Sequence, residues 1–280
     1  MKLQNFIKEL LKTRIRLLAL VSKEKAGNSA FRIFCTPLGK ARYAITPILR
    51  SAENLSLSFN QVPLKGYRWN NGAGKKVLIA HGFRSHTQRF EHLIPLLTAK
   101  GYEVLAFDAP AHGLSGGKQI NAIDYTTLVA HLTVRYGPFD AYIGHSFGGL
   151  AVALAVSELP GNAALKMVLF APAADTEGLA AGFLKQMEVT DPAVRLHFYN
   201  NVERLSGKTL SWFSIKRCLP HLKSAVLWIH DEEDRITPVK EAREIRDLHP
   251  SNIRFIFTQG LGHSSIYRDT AVLQQVAEFL

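Results

Sequence analysis

One stretch of the sequence has the residue types and spacing to present an activated serine. A short apolar run, Ala141–Ile143, enters the pentapeptide Gly-His-Ser-Phe-Gly around Ser146, and the small and aliphatic segment Leu150–Val156 follows with a helical pattern. A serine on a tight strand-to-helix turn exposes its hydroxyl at the carboxyl end of the strand, and glycines around it keep the backbone uncrowded. The pattern predicts a nucleophile at Ser146, with an ordinary surface turn as the alternative.

Two backbone amides are predicted to stabilise negative charge that develops beside this serine. Phe147 begins the helix after the turn, where amide groups point at an incoming anion. Earlier in the chain, the run Leu78–Ala80 stops at His81-Gly82, and a glycine there lets the backbone bend towards the serine. The amide of Phe83 is therefore the second predicted donor. His81 itself is interpreted as a polar residue that orders this turn.

A nucleophilic serine also needs a base and a carboxylate that orients the base. His263 follows the last apolar run, between Gly262 and Ser264, and it comes after the serine and the acids in the chain order serine, acid, histidine. Four acids crowd the loop from residue 231 to 234. We predict Asp234 as the orienting group because it directly precedes the turn into the next helix, and Asp231 remains the alternative. Glu232 and Glu233 are expected to face solvent.

A second acid and histidine lie together after another apolar run. Asp108 and His112 belong to the segment Phe-Asp-Ala-Pro-Ala-His-Gly, which begins at Phe107. The favoured interpretation is loop architecture, with Asp108 binding local amides and His112 holding the turn. His112 stays a minor candidate for the general base.

The elements that position these residues follow from the apolar pattern. Leu55–Phe59 and Leu64–Trp69 predict an edge hairpin. Six continuous apolar runs predict buried strands at Val77–Ala80, Val104–Phe107, Ala141–Ile143, Met167–Phe170, Ala225–Ile229 and Ile253–Phe257. Helical patterns separate most of these runs. Buried strands that alternate with helices form a mostly parallel sheet covered on both faces. We therefore predict an α/β protein with about eight strands, whose site lies at the carboxyl ends of the strands.

Composition limits the partners and the compartment. The 280 residues contain 34 Lys and Arg against 23 Asp and Glu, a net charge of +11. Because no nucleic-acid motif accompanies this charge, we exclude nucleic acid and expect a solvated basic surface. Cys35 and Cys218 lack metal-type spacing and predict reduced thiols in a cytoplasmic protein, with a single disulfide left open. No cluster of ligand residues predicts a metal or another cofactor.

The first fifty residues form a separate basic extension in this prediction. Residues 1–21 place apolar side chains on one helical stripe, with Arg14 near its middle and Lys2, Lys8, Lys12 and Arg16 away from it. Basic residues interrupt the segment too often for a signal peptide. We expect a helix packed on the domain or on a second copy, with contact to an anionic membrane surface as the alternative. Residues 31–50 look less regular.

Together these motifs resemble the α/β-hydrolase superfamily from about Leu55 to Leu280. The order of the His-Gly turn, the Asp-x-x-x-His-Gly loop, the serine pentapeptide, the late acid and the late histidine carries the resemblance, and two of the segments look like a group of bacterial hydrolases. The chain departs from the usual pattern at Asp231, where members often have glycine. The resemblance implies a serine hydrolase with Ser146, Asp234 and His263 as its triad.

The α/β rhythm stops between about residues 172 and 222, where hydrolases of this kind carry a cap. We therefore divide the chain into the extension 1–50 and a hydrolase domain 51–280 with a small helical cap. Phe183, Trp212 and Phe213 are predicted to line the acyl or leaving-group pocket, with packing inside the insertion as the alternative. The expected reaction is hydrolysis of a small-molecule ester or thioester. Cleavage of a carbon–carbon bond or a small amide, and a non-catalytic ligand-binding role, remain alternatives.

Overall fold

Eight strands form a single sheet in the part of the chain that the structure, a computed structural model, describes: residues 2–39 and 45–280. All eight predicted strands are present, each extended by one or two residues. In chain order they are β1 (Glu53–Phe59), β2 (Val62–Trp69), β3 (Lys75–Ala80), β4 (Tyr102–Phe107), β5 (Ala141–His145), β6 (Lys166–Phe170), β7 (Ala225–Asp231) and β8 (Ile253–Thr258).

The order of the strands across the sheet is β1-β2-β4-β3-β5-β6-β7-β8. β1 and β2 form the antiparallel edge hairpin, and β2 pairs antiparallel with β4. From β4 to β8 every pairing is parallel, so that Val77 on β3 lies opposite Val104 on one side and Ala141 on the other. The predicted mostly parallel sheet of about eight strands is confirmed.

Helices connect the strands and cover the sheet. The described helices are α1 (Lys2–Val21), α2 (Lys23–Phe34), α3 (Pro47–Arg50), α4 (Leu93–Ala99), α5 (Ala122–Tyr136), α6 (Phe147–Ser157), α7 (Thr176–Gln186), α8 (Pro192–Ser206), α9 (Ile215–Cys218), α10 (Val239–Arg246), α11 (Gly262–Ser265) and α12 (Thr270–Phe279). Short 3₁₀ turns lie at Thr87–Phe90, Asn162–Ala164 and Leu210–Trp212.

The chain divides into two compact units. One contains Met1–Thr36 and Asp175–Ser214, and the other contains Pro37–Ala174 and Ile215–Leu280. The larger unit holds the sheet, and its core consists of fully buried side chains such as Val77, Ile143 and Leu227 together with the helices that flank them. Burial of such side chains is the main favourable term in the stability of this unit.

The loops of interest in the larger unit share one edge of the sheet. β3, β5, β7 and β8 run parallel, and they end at Ala80, His145, Asp231 and Thr258. The polar segments that follow these four strands are therefore brought to the same carboxyl edge, as the sequence pattern predicts.

The smaller unit joins two segments that the sequence analysis treated separately, the N-terminal extension and the insertion. Its core is aromatic: the ring of Phe34 lies 5.2 Å from that of Phe183 and 5.6 Å from that of Phe198, measured between centroids. α2 was not predicted. It begins after Ser22, whose side chain accepts a hydrogen bond from the amide of Lys25. Part of the segment 31–50, residues 40–44, lies outside the described residues.

Gly27 lets α2 approach α8 closely within the smaller unit. A Cβ at Gly27 would lie 2.5 Å from the Cβ of His197 and 2.7 Å from the carbonyl oxygen of Val194, both on α8. Neither atom is the end of a flexible side chain. The two helices would have to separate to admit even one methyl group.

Replacement of Gly27 by alanine should therefore lower the free energy of unfolding by about 2 kcal/mol, because overpacking outweighs the gain in helix propensity. Gly182→Ala is the matched control, since it lies inside α7 of the same unit and its Cβ would meet no atom within 4 Å. That variant should gain up to about 1 kcal/mol. Urea unfolding of both variants measures the difference, and equal stabilities would contradict the close approach of α2 and α8.

Candidate active site

Ser146 lies on a strained turn between β5 and α6. Its backbone has φ 53° and ψ −121°, a conformation that residues with a side chain rarely adopt and that costs on the order of 1–3 kcal/mol. Neighbouring strands and loops hold it there: the amide of Ser146 donates to the carbonyl of Phe170 at 3.0 Å, and its own carbonyl accepts from the amide of Ala173 at 3.0 Å. The serine is thus fixed on both sides by main-chain hydrogen bonds.

The glycines around the serine are required by contact distances. A Cβ at Gly144 would lie 2.5 Å from the Cα of Gly149. A Cβ at Gly148 would lie 2.4 Å from the carbonyl oxygen of Ala80 at the end of β3. Because backbone atoms form both contacts, no side chain can be accommodated by a rotamer change. The pentapeptide therefore reflects the packing of α6 against β5 and β3.

The loop after β3 passes directly beside Ser146. A Cβ at Gly82 would lie 3.0 Å from the Cβ of Ser146. The next residue is Phe83, whose ring packs edge-on against that of Phe147 with 5.8 Å between centroids. Phe147 is the first residue of α6, where amide groups lack partners within the helix. The two predicted amide donors thus belong to segments that meet at the serine.

Asp234 and His263 are brought together from the loops after β7 and β8. The carboxylate oxygen Oδ2 of Asp234 lies 2.7 Å from Nδ1 of His263. Burial alone would raise the pKa of Asp234, but hydrogen bonds from His263 and from the amides of Ile236 and Thr237 outweigh it, so the pKa is lowered. An ionised Asp234 accepts the Nδ1 proton of a neutral imidazole, and Nε2 is then the basic nitrogen.

Asp231, the alternative acid, is engaged elsewhere. Its Oδ1 accepts a hydrogen bond from the amide of Glu233 at 3.0 Å. Its Oδ2 accepts from the hydroxyl of Thr258 at 2.8 Å and from the amide of Leu261 at 3.0 Å. These bonds tie the loops after β7 and β8 to each other. The contact with His263 is made by Asp234, the residue chosen from its position before the turn.

Thr237 is part of the site, although the sequence analysis assigned it no role. Its buried hydroxyl lies 3.0 Å from Oδ2 of Asp234 and 3.1 Å from Nδ1 of His263. Its amide donates to Oδ1 of Asp234 at 3.0 Å. The spacing offers a signal, because an aspartate often accepts bonds from the amides two and three residues later. Thr237 fixes the rotamer of the carboxylate.

His230 supports Thr237 from the other side. Its Nδ1 accepts from the indole of Trp228 at 3.3 Å, so Nε2 carries the proton and donates to the carbonyl of Thr237 at 2.7 Å. Burial lowers the pKa of His230, which keeps the ring neutral near pH 7. The sequence gives no sign of this arrangement.

His145, directly before Ser146, holds the loop that contains His263. Its Nε2 donates to the carbonyl oxygen of His263 at 2.9 Å, and its ring centroid lies 4.7 Å from that of His263 and 4.6 Å from that of Tyr267. Burial lowers the pKa of His145 to about 3, so the ring is a neutral donor near pH 7. This contact links the serine turn to the main chain of His263.

The other predicted histidines have both ring nitrogens engaged with the main chain. Nδ1 of His112 donates to the carbonyl of Pro110 at 2.9 Å, and its Nε2 accepts from the amide of Arg84 at 2.9 Å. His81 donates to the carbonyl of Gly82 and accepts from the amide of Ala109. Each ring orders a turn and has no nitrogen left to act as a base.

Asp108 has the architectural environment that the favoured interpretation describes. Its Oδ1 accepts from the amide of Thr87 at 2.8 Å, and its Oδ2 accepts from the amide of Leu114 at 2.9 Å. The carboxylate therefore connects the loop after β3 to the loop after β4. A Cβ at Gly113 would lie 2.0 Å from Oδ2, which explains the glycine at that position.

The aromatic residues proposed for the pocket lie in the smaller unit. Phe183 packs among Phe34 and Phe198, and Phe213 is buried with its ring 5.0 Å from that of Trp212. These contacts belong to the core of that unit. A role of Phe183, Trp212 and Phe213 in lining the substrate pocket stays a prediction.

Cys35 and Cys218 are buried thiols that are not joined in a disulfide. Burial raises the pKa of Cys218 to about 11, so its thiol is protonated near pH 7 and poorly nucleophilic. Among the residues that the structure describes, no group of three or more His, Cys, Asp and Glu side chains is arranged to hold a metal ion.

Curated proteins similar to this chain include two enzymes named for hydrolysis. A monoacylglycerol lipase of Mycolicibacterium smegmatis is 32% identical over 105 residues, which are 35% of this chain and 37% of that protein. A pyrethroid hydrolase of Sphingobium wenxiniae is 30% identical over 103 residues, which are 34% of this chain and 37% of that protein. The chain thus spans a little over a third of the length of these curated relatives.

A solved structure and a family model cover more of the chain. An esterase of Pyrococcus furiosus superposes with a TM-score of 0.64 at 25% identity, over 86% of this chain and 95% of that one. The family model described as serine aminopeptidase, S33 matches residues 72–217, slightly more than half of the 280 residues and including the serine turn. The chain has the α/β-hydrolase fold and belongs to the serine aminopeptidase S33 family.

Proposed function

We propose that the protein is a serine hydrolase that cleaves a carboxylic ester or thioester through an acyl-enzyme on Ser146. The observation that carries the proposal is the hydrogen bond between Asp234 and His263, formed beside the turn that holds the serine in a strained conformation. A carboxylate that holds the Nδ1 proton leaves the opposite nitrogen free to accept one. That is the arrangement by which a serine hydroxyl is activated.

In the first half of the reaction, His263 accepts the proton of the Ser146 hydroxyl as the oxygen attacks the acyl carbonyl. The oxygen of that carbonyl takes up the negative charge, and the amides of Phe83 and Phe147 donate hydrogen bonds to it. His263 then returns the proton to the leaving alcohol or thiol as the carbon–oxygen or carbon–sulfur bond breaks. Ser146 is left acylated.

In the second half, His263 takes a proton from a water molecule that attacks the acyl-enzyme. The tetrahedral intermediate collapses, the acid product leaves and Ser146 recovers its proton. Throughout, Asp234 stays ionised and holds the imidazole, since its pKa is lowered. Thr237 and His230 keep this carboxylate in place, and His145 keeps the main chain of His263 in place.

The names of the similar proteins favour esters as the substrates. The lipase, the pyrethroid hydrolase and the archaeal esterase support ester cleavage by this chain. The family description names an aminopeptidase, which makes a small amide the second candidate. Substrate screening with matched acyl esters, thioesters and amides separates the candidates, since one triad can serve each of them.

Ser146→Ala should abolish turnover, with a fall of at least about 10⁴-fold in kcat, because no other group can form the acyl-enzyme. Intact-mass spectrometry after treatment with a fluorophosphonate should show a single covalent adduct on the wild-type protein and none on the variant. Hydrolysis of p-nitrophenyl esters of different acyl lengths measures the turnover.

The matched control is Ser58→Ala, an exposed serine on the edge strand β1. This variant should be labelled and should turn over substrate like the wild-type protein. An adduct on Ser146→Ala, or substantial residual turnover by it, would assign the nucleophile to another residue. Absence of an adduct on the wild-type protein would favour a non-catalytic ligand-binding role.

Asp234→Asn and Asp231→Asn form a second matched pair, since both remove one buried charge from the same loop. Asp234→Asn should lower kcat by about 10³-fold to 10⁴-fold, because an amide no longer stabilises the correct tautomer of His263. Asp231→Asn should mainly lower the free energy of unfolding, because its carboxylate binds main-chain amides and Thr258.

Kinetics and urea unfolding of both variants, at a temperature where each remains folded, test this division of roles. The result that would overturn it is the reverse order, in which Asp231→Asn loses more activity than Asp234→Asn. Circular dichroism of both variants shows that the comparison is made between folded proteins.

A further inference from the structure

α1 has an inner face that the fold already uses. Ile15 is almost fully buried, and so is Lys12. The ammonium group of Lys12 lies 2.8 Å from Oε1 of Glu9 and 2.8 Å from Oε1 of Glu188, which follows α7 in the same unit. Arg16 also pairs with Glu188. These contacts fix which side of α1 faces the rest of the smaller unit.

The opposite face of α1 is apolar and exposed. Five large side chains there are between 54% and 83% exposed and form what we call the outer stripe: Phe6, Leu10, Leu17, Leu20 and Val21. They span fifteen residue steps, about 22 Å of helix. Single exposed apolar residues are ordinary, but five large ones along one side of a helix mark a surface that contacts something apolar.

The charge of α1 indicates what that contact is. The helix contains five cationic residues and one acidic residue, Glu9, which is already paired with Lys12. Arg14 is exposed beside the outer stripe. A second copy docked through the same stripe would bring like charges together, whereas an anionic lipid surface complements them.

We propose that α1 binds the surface of an anionic phospholipid bilayer, with the outer stripe in the boundary between headgroups and acyl chains. The helix lies in the plane of the surface, because its apolar side chains are exposed on one face while the opposite face is packed on the protein. No helix among the described residues is long and apolar enough to cross a membrane. The long side chain of Arg14 keeps its guanidinium among the phosphates. α1 lies outside residues 72–217, the segment that the family model matches.

Co-sedimentation of the full chain with vesicles tests the proposal. Vesicles of phosphatidylcholine and phosphatidylglycerol in a ratio of about 7:3 should bind the protein, and binding should weaken as salt is raised. Vesicles of phosphatidylcholine alone should bind it at least about tenfold more weakly. Binding is measured without substrate, so the result is independent of the proposed hydrolase activity.

A pair of double variants locates the contact. L10E/L17E places two acids in the outer stripe and should lower binding to the anionic vesicles by about tenfold or more. V134E/L196E makes the same change of charge at two exposed apolar positions outside α1, on α5 and α8, and should bind within about twofold of the wild-type protein. Circular dichroism and urea unfolding confirm that both variants are folded.

Three outcomes would overturn the proposal. Equal binding of the two double variants would mean that net charge, and not the outer stripe, drives attraction to the vesicles. Equal binding of the wild-type protein to both kinds of vesicle would remove the role of anionic lipid. A wild-type dimer that does not bind vesicles and becomes a monomer in L10E/L17E would assign the outer stripe to a second copy.

Discussion

The hydrogen bond between Asp234 and His263 is the interaction on which the arrangement of the site depends. A buried carboxylate is costly unless its oxygens are satisfied, and Asp234 is satisfied by the imidazole, by two amides and by the hydroxyl of Thr237. Each of these donors comes from a loop at the carboxyl edge of the sheet. The parallel pairing of β7 with β8 therefore does more than build a core, because it brings Asp234 and His263 to hydrogen-bonding distance.

The serine side of the site is held by a different kind of force. Here no charge is buried, and the constraint is steric. Gly144 and Gly148 let the backbones of β5, α6 and the end of β3 approach each other more closely than a side chain at either position would allow. The strain at Ser146 persists because main-chain bonds from β6 and the loop after it fix the turn. The contact of His145 with the carbonyl of His263 joins these two halves. Burial keeps the ring of His145 neutral near pH 7, with the proton on the nitrogen that donates to this carbonyl.

The sheet and the contact between Asp234 and His263 could be predicted from the sequence because their signals are local. Parallel strands buried on both faces are continuous apolar runs, and Asp234 precedes the turn into α10 in a recognisable way. α2 was missed because Gly27, Asn28 and Ser29 are poor helix formers, and contacts with α8 outweigh that preference. His145 was missed for another reason, because its bond to the carbonyl of His263 joins two segments that are far apart in the chain. Thr237 had a local signal, its position three residues after Asp234, and His230 contacts it from the end of β7.

For α1, too, the sequence gives a local pattern and the structure gives the contacts. The sequence shows an apolar stripe and leaves open which side of the helix faces the protein. The buried ammonium group of Lys12 resolves the orientation, because a charge taken out of water must be paired, and Glu9 and Glu188 pair it. Pairing has a consequence for the rest of the helix. It engages the single acidic residue of α1, while Glu188 also pairs with Arg16, so Arg14 is the exposed cation beside the outer stripe. An apolar stripe beside an exposed guanidinium is a surface suited to anionic lipid.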